Sequence, residues 1–192
     1  MITLKKVGIL GGTFDPPHIG HLIIADEVKH QLKFDAIWFI PTNVPPHKNK
    51  ATSSAQHRLE MVRLATKDND SFYVNPIEVN LHQTSYTIDT IKQLKRTHPE
   101  NQFYFIIGAD MVEYLPHWKN INQLTELIKF VGVKRTNYTL DTTYPIIEVP
   151  IPTIEISSTN IRCRFKQSHP VKYLLSNDVY EYIKEHQLYE GE

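Results

Sequence analysis

Apolar residues in this chain gather into short runs separated by stretches of helical period. Residues 7–10 (Val-Gly-Ile-Leu), 36–40 (Ala-Ile-Trp-Phe-Ile) and 103–107 (Phe-Tyr-Phe-Ile-Ile) are continuous and of strand length. A strand covered on both faces has no polar side to alternate with, so such runs predict buried strands. Residues 129–133 and 146–149 predict two further strands. Between them, residues 22–28, 55–66 and 86–96 carry helical patterns; in the last, Ile88, Ile91 and Leu94 fall on one stripe. Strands alternating with helices predict a doubly wound, mostly parallel α/β sheet with helices on both faces. Ligands of such sheets collect at the carboxyl ends of the strands, near the switch in strand order.

The last third reads differently. Ser157 or Ser158 predicts an N-cap ahead of a helix over 159–166, and Asn177 or Asp178 one ahead of a helix over 179–186. A short helix is expected around 171–175. The chain is therefore expected to be one domain, residues 1–192, with an α/β core (1–155) and a small C-terminal helical extension (156–192). The longest expected loop, 41–54, follows the second strand and so lies at the ligand end of the sheet.

Charge and composition narrow the chemistry. With 21 basic and 21 acidic residues the formal net charge is zero, which argues against a broad footprint for duplex nucleic acid but allows a local phosphate pocket. A single cysteine, Cys163, excludes an intramolecular disulfide and a multi-cysteine zinc site, and fits a reducing compartment. No run approaches the roughly 20 apolar residues of a membrane helix, and no signal-peptide core opens the chain. A soluble, cytoplasmic protein is expected.

The candidate chemistry sits directly after the first strand, in Gly11-Gly12-Thr13-Phe14-Asp15-Pro16-Pro17-His18-Ile19-Gly20-His21. A strand, a glycine turn and a helix start suit a phosphate: glycine lets the backbone approach the anion, and the N–H groups of the helix start point at it. His18 and His21, three apart, are expected on one helix face and within reach of one ligand. The pair could also bind a metal, although no third ligand is evident. A second anion site is expected at Ile156-Ser157-Ser158-Thr159-Asn160-Ile161-Arg162, where hydroxyls open a helix and a guanidinium follows one turn in. Two phosphate grips imply a ligand with several phosphates.

These two motifs together resemble the paired signature of the nucleotidyltransferase superfamily marked by His-x-Gly-His. Within it the chain is similar, from Val7 to about Tyr189, to the bacterial nicotinate mononucleotide adenylyltransferases, which make deamido-NAD from ATP. Three weaker segments carry that narrower likeness: residues 41–48 (Pro-Thr-Asn-Val-Pro-Pro-His-Lys), residues 85–90 (Ser-Tyr-Thr-Ile-Asp-Thr), and residues 108–111 (Gly-Ala-Asp-Met) followed by 115–118 (Leu-Pro-His-Trp). The resemblance implies a Rossmann-like fold in which His18, His21 and Arg162 are catalytic. It implies ATP contacts from Gly11, Gly12, Thr13, Phe14, Gly108, Asp110, Arg135, Ser157, Ser158 and Thr159. Acceptor contacts would come from Lys48, Ser85, Tyr86, Thr87, Asp110 and Trp118, with Trp118 stacking on the pyridinium ring. The family often has Pro-Gly after the arginine that follows its fifth strand, whereas here Thr136-Asn137 follow Arg135.

The implied reaction joins an acceptor phosphate oxygen to the α-phosphorus of ATP and expels pyrophosphate. A phosphomonoester with a second pKa of ~6 is largely ionised at neutral pH, so no general base is needed. Positioning and electrostatics are expected to do most of the catalysis. Mg²⁺ is expected on the phosphates, without protein ligands. The resemblance also makes a homodimer plausible. Alternatives stay open at this point: a phosphopantetheine adenylyltransferase, a cytidylyltransferase for a small phosphoalcohol, or a nucleotide-binding sensor without turnover.

Overall fold

The computed structural model describes residues 5–44, 51–81, 84–134, 142–152 and 154–190. Six strands form one all-parallel sheet: β1 (Lys5–Gly12), β2 (Ala36–Pro41), β3 (Phe72–Val74), β4 (Asn101–Gly108), β5 (Lys129–Lys134) and β6 (Ile146–Pro150). Their order is β3-β2-β1-β4-β5-β6. Chain order runs outward from β1 in one direction and then resumes at β4 on its other side. The crevice between the ends of β1 and β4 is therefore the switch point of the sheet.

Side-chain parity explains why the strands read as continuous apolar runs. Val7, Ile9, Phe103, Phe105, Ile107 and Phe130 face one core, shared with Ile88, Ile91 and Leu94 of α4 (Thr87–Thr97). That core also takes in Val112 of α5 (Ala109–Tyr114) and Leu124 of α6 (Ile121–Leu127). Leu10, Ile37, Phe39, Tyr104 and Ile106 face the other, against Ala25 and Val28 of α1 (Ile19–Leu32) and Val62 of α2 (Ala55–Thr66). A third cluster joins Met61 of α2 to Ile161 of α7 (Ser158–Lys166) and to Val179 and Ile183 of α8 (Asn177–Glu185). The C-terminal helices thus close over α2 rather than over the sheet.

The structure corrects several expectations. Gly11 and Gly12 do not form a turn: β1 runs through them, in register with Ile40 and Pro41. What glycine provides there is clearance, since a Cβ on Gly11 would lie 3.0 Å from the Phe105 ring and one on Gly12 3.1 Å from the Phe14 ring. Residues 171–175 form a turn instead of a helix, with Leu174 N–H donating to Val171 O at 2.9 Å. The cap of α8 is Ser176, so neither Asn177 nor Asp178 fills that role. Ser157, by contrast, caps α7 as expected, its hydroxyl accepting from Asn160 N–H at 3.1 Å. The three-residue edge strand β3, the four-residue α3 (Ile77–Asn80), α5, a 3-10 turn (Leu115–His117) and α6 had no expectation.

Candidate active site

The chain leaves β1 into residues 13–18, where Phe14 takes φ of 52° and the Asp15–Pro16 peptide is cis. His18 is the N-cap of α1 rather than a residue within it. Its N–H donates to His21 Nδ1 at 3.1 Å, and the two rings stack with centroids 3.7 Å apart. The Phe14 ring stands edge-on to His21 at 5.0 Å. Gly20 has a steric reason as well: a Cβ there would come 3.1 Å from His18 Nδ1. The first N–H of α1, from Ile19, is satisfied by Leu174 O at 3.0 Å, so the C-terminal turn braces the histidine helix.

The second motif docks directly on the first. Ser158 Oγ donates to Pro16 O at 2.8 Å, and Arg162 Nη1 to Asp15 O at 2.7 Å. Arg162 Nη2 lies 3.4 Å from Thr159 Oγ1. The two expected phosphate grips are therefore one assembly, joined through main-chain carbonyls of the signature loop. Four further residues, unforeseen from the sequence, hold that loop. The buried Asp15 carboxylate accepts from Thr52 N–H at 2.7 Å, from the Ser53 hydroxyl, and from Tyr189 Oη at 2.6 Å. Burial, reinforced by the Asp15 charge, pushes the Tyr189 hydroxyl pKa far up, so it stays a donor. Arg58, 1% exposed, donates to Thr13 O at 2.7 Å and Asn43 O at 2.9 Å, bridging the loops after β1 and β2. Burial lowers its pKa, while the nearby Asp15 charge opposes that shift. Arg58 did leave a signal: it shares the buried helical face of Met61 and Val62, where an arginine needs polar partners.

A cleft of about 400 Å³ opens at the switch point. Gly11, Gly12, Thr13 and His21 line one side; Ser85, Tyr86, Thr87, Gly108 and Trp118 line the other. That volume suits a drug-sized ligand. Trp118 packs edge-on against Phe105 and Phe130, at 5.7 Å and 5.8 Å between centroids, which fixes the plane of its indole. Tyr86 caps α4, and Lys119 Nζ sits 4.2 Å above its ring. Ser85 Oγ accepts from Asn43 N–H at 3.0 Å. Glu78 on α3 also lines the cleft; burial raises its pKa, with the Thr90 and Ser85 hydroxyls acting against the shift. Asp110 is exposed in the first turn of α5, its Oδ1 2.8 Å from where a Cβ on Gly108 would lie. Lys48 and Arg135 fall outside the described residues. Cys163 is exposed on α7.

The signature loop thus supplies backbone groups and stacked imidazoles, and α7 adds the Arg162 guanidinium, a set suited to holding and transferring phosphate rather than to attacking a substrate. The fold and this site together define a nucleotidyltransferase. Comparison with known proteins agrees: the family model described as cytidylyltransferase-like matches residues 9–164. The nicotinate-nucleotide adenylyltransferase of Bacillus subtilis is 48% identical over 189 residues, covering 98% of this chain and 100% of that one. A protein of Oceanobacillus iheyensis named "Probable nicotinate-nucleotide adenylyltransferase" is 52% identical over 186 residues, 97% of each chain. Among solved structures, Plasmodium falciparum nicotinic acid mononucleotide adenylyltransferase complexed with NaAD superposes with a TM-score of 0.81. It covers 96% of this chain and 97% of its own, and at 22% identity it speaks for the fold alone. The chain belongs to the cytidylyltransferase-like family and, within it, to the nicotinate-nucleotide adenylyltransferases.

Proposed function

We propose that this enzyme transfers the adenylyl group of ATP to nicotinate mononucleotide, giving deamido-NAD and pyrophosphate. The observation that carries the reading is the cleft itself, with His21, Gly11, Gly12 and Thr13 on one wall and residues 85–87 and Trp118 on the other. An acceptor phosphate oxygen attacks the α-phosphorus; the bond from that phosphorus to the bridging oxygen of pyrophosphate breaks, and pyrophosphate takes the electron pair. No proton need be removed, because the acceptor phosphate is already largely ionised at neutral pH.

His18 and His21 donate to the α-phosphate and stabilise the charge that builds on it in the transition state. Gly11, Gly12 and Thr13 bring backbone close to the nucleotide. Ser158 and Arg162 hold the β- and γ-phosphates and offset charge on the leaving pyrophosphate. At the other wall, the N–H groups that open α4 favour a carboxylate over a carboxamide, and Trp118 offers its face to the pyridinium ring. Mg²⁺ fits as a companion of the nucleotide: the Asp15 carboxylate is already engaged by Thr52, Ser53 and Tyr189. The ion would ride on the phosphates and neutralise their charge.

The test is pyrophosphate release from ATP and Mg²⁺ with nicotinate mononucleotide, its amide, and phosphopantetheine as acceptors. The reading expects the highest kcat/KM with nicotinate mononucleotide. Turnover of phosphopantetheine instead would assign a different acceptor, and ATP binding without release for any acceptor would make the protein a sensor.

A further inference from the structure

Three buried polar atoms at the acceptor wall have no hydrogen-bond partner among the described residues: Thr42 Oγ1, Glu78 Oε2 and Trp118 Nε1. A buried polar atom left without a partner is destabilising, so each needs a reason. Trp118 is already placed in the reaction by its proposed stacking face. Glu78 has none in the reaction as described, although it is a carboxyl only 7% exposed on a helix of four residues.

Its neighbours suggest the reason. Glu78 Oε1 accepts from Thr90 Oγ1 at 2.7 Å, one turn inside α4. The Ser85 hydroxyl, just ahead of the Tyr86 cap, also acts on the same carboxyl. Ser85 in turn accepts from Asn43 N–H and donates its own N–H to Val44 O, both at 3.0 Å. Glu78 thus holds Thr90 in the first turn of α4, and Ser85, just ahead of that turn, ties it to the loop after β2.

We propose that Glu78 is a positioning residue for the acceptor, holding the opening turn of α4 in the register that selects nicotinate mononucleotide over its amide. The proposal rests on the function above and adds the residue that sets discrimination. Hydrogen bonds that fix a helix start decide where its N–H groups point, and a carboxylate gains from those donors only when they converge. Glu78 reaches the nucleotide loop only at a distance, through Ser85, Asn43 and Arg58, so its effect falls first on the acceptor side.

The experiment is steady-state pyrophosphate release by the full chain with both mononucleotides, for wild type, Glu78→Ala, Glu78→Gln and Thr90→Val. Glu78→Ala is expected to raise KM for nicotinate mononucleotide about tenfold and to narrow the nicotinate-to-nicotinamide ratio of kcat/KM by a similar factor. KM for ATP should change less than about twofold. Thr90→Val, which removes one hydroxyl at nearly constant shape, should move the same two quantities in the same direction. Glu78→Gln keeps an acceptor for Thr90 and should return KM to within about threefold of wild type. KM values for ATP and acceptor rising together, or an unchanged discrimination ratio in a folded Glu78→Ala, would overturn the proposal. If Glu78→Ala does not fold, an unchanged acceptor KM in Thr90→Val overturns it equally. Wild type turning over neither mononucleotide would refute the proposed function instead, and is read before any variant.

Discussion

Tyr189 lies 174 residues from Asp15 in sequence, yet their side chains meet in the interior at 2.6 Å. Tyr189→Phe removes this contact and the 3.0 Å one between Tyr189 Oη and Ser53 Oγ, while the ring keeps its packing beside Phe165. A hydrogen bond to a charged group contributes about 1.5–3 kcal/mol net. The lower half of that range applies here, since Asp15 keeps Thr52 N–H and the Ser53 hydroxyl and is not left bare. Unfolding entropy for 192 residues is about 0.4 kcal/mol per degree, so the loss corresponds to a fall in Tm of roughly 4–6 °C. Activity should suffer as well. The carbonyl of Asp15 orients Arg162, and a small misplacement of a phosphate ligand can reduce kcat by about an order of magnitude. Scanning calorimetry paired with initial rates checks both, and KM for the acceptor should be unmoved. A variant with wild-type Tm and wild-type kcat would refute the idea that the C-terminus braces the phosphate loop.

Arg58→Met removes the donor that the part-buried carbonyls of Thr13 and Asn43 share, and urea denaturation should show a loss of about 2–6 kcal/mol; a change below ~1 kcal/mol would contradict the bridging role. Trp118→Ala should raise acceptor KM by roughly 2- to 30-fold through lost stacking while leaving KM for ATP alone. The Glu78 carboxyl has a folded pKa above its ordinary 4.5, so its protonated form favours the folded state. That contribution is full below the ordinary value and is lost as pH climbs through the raised one. Glutamine does not titrate, so the Tm of Glu78→Gln relative to wild type should rise from about pH 4 toward neutrality. A flat difference across that range would show that Glu78 does not titrate as its burial dictates.

The strands that flank the switch point were legible because burial on both faces leaves an unbroken apolar run, as in 103–107. The α4 stripe was legible because Ile88, Ile91 and Leu94 repeat at the helical period, and all three are buried. β3 escaped notice for the opposite reason: three half-exposed residues at the sheet edge carry too little pattern. The segment 109–127 is broken by Pro116 into pieces of six, three and seven residues, each too short for a periodic signal. At the site, the histidines, glycines and Ser158–Arg162 pairing could be found because each motif is contiguous. The supports were not: Asp15 with Tyr189, and Arg58 with Thr13 and Asn43, meet only after the chain has folded, and no local spacing encodes them. The glycines show a further limit, because sequence registers that glycine is needed but not whether for a turn or for the clearance beside Phe105.

On the proposed mechanism, stacked imidazoles beside the serine and arginine helix start stabilise adenylyl transfer to a nicotinate acceptor. Its most direct test is product identification by mass spectrometry from ATP, Mg²⁺ and nicotinate mononucleotide, with wild type beside a folded His21→Ala. Wild type should yield deamido-NAD and pyrophosphate in equal amounts, and His21→Ala should form them about 10²–10³-fold more slowly with little change in acceptor KM. Full-rate product formation by His21→Ala, or no dinucleotide from wild type, would contradict the account.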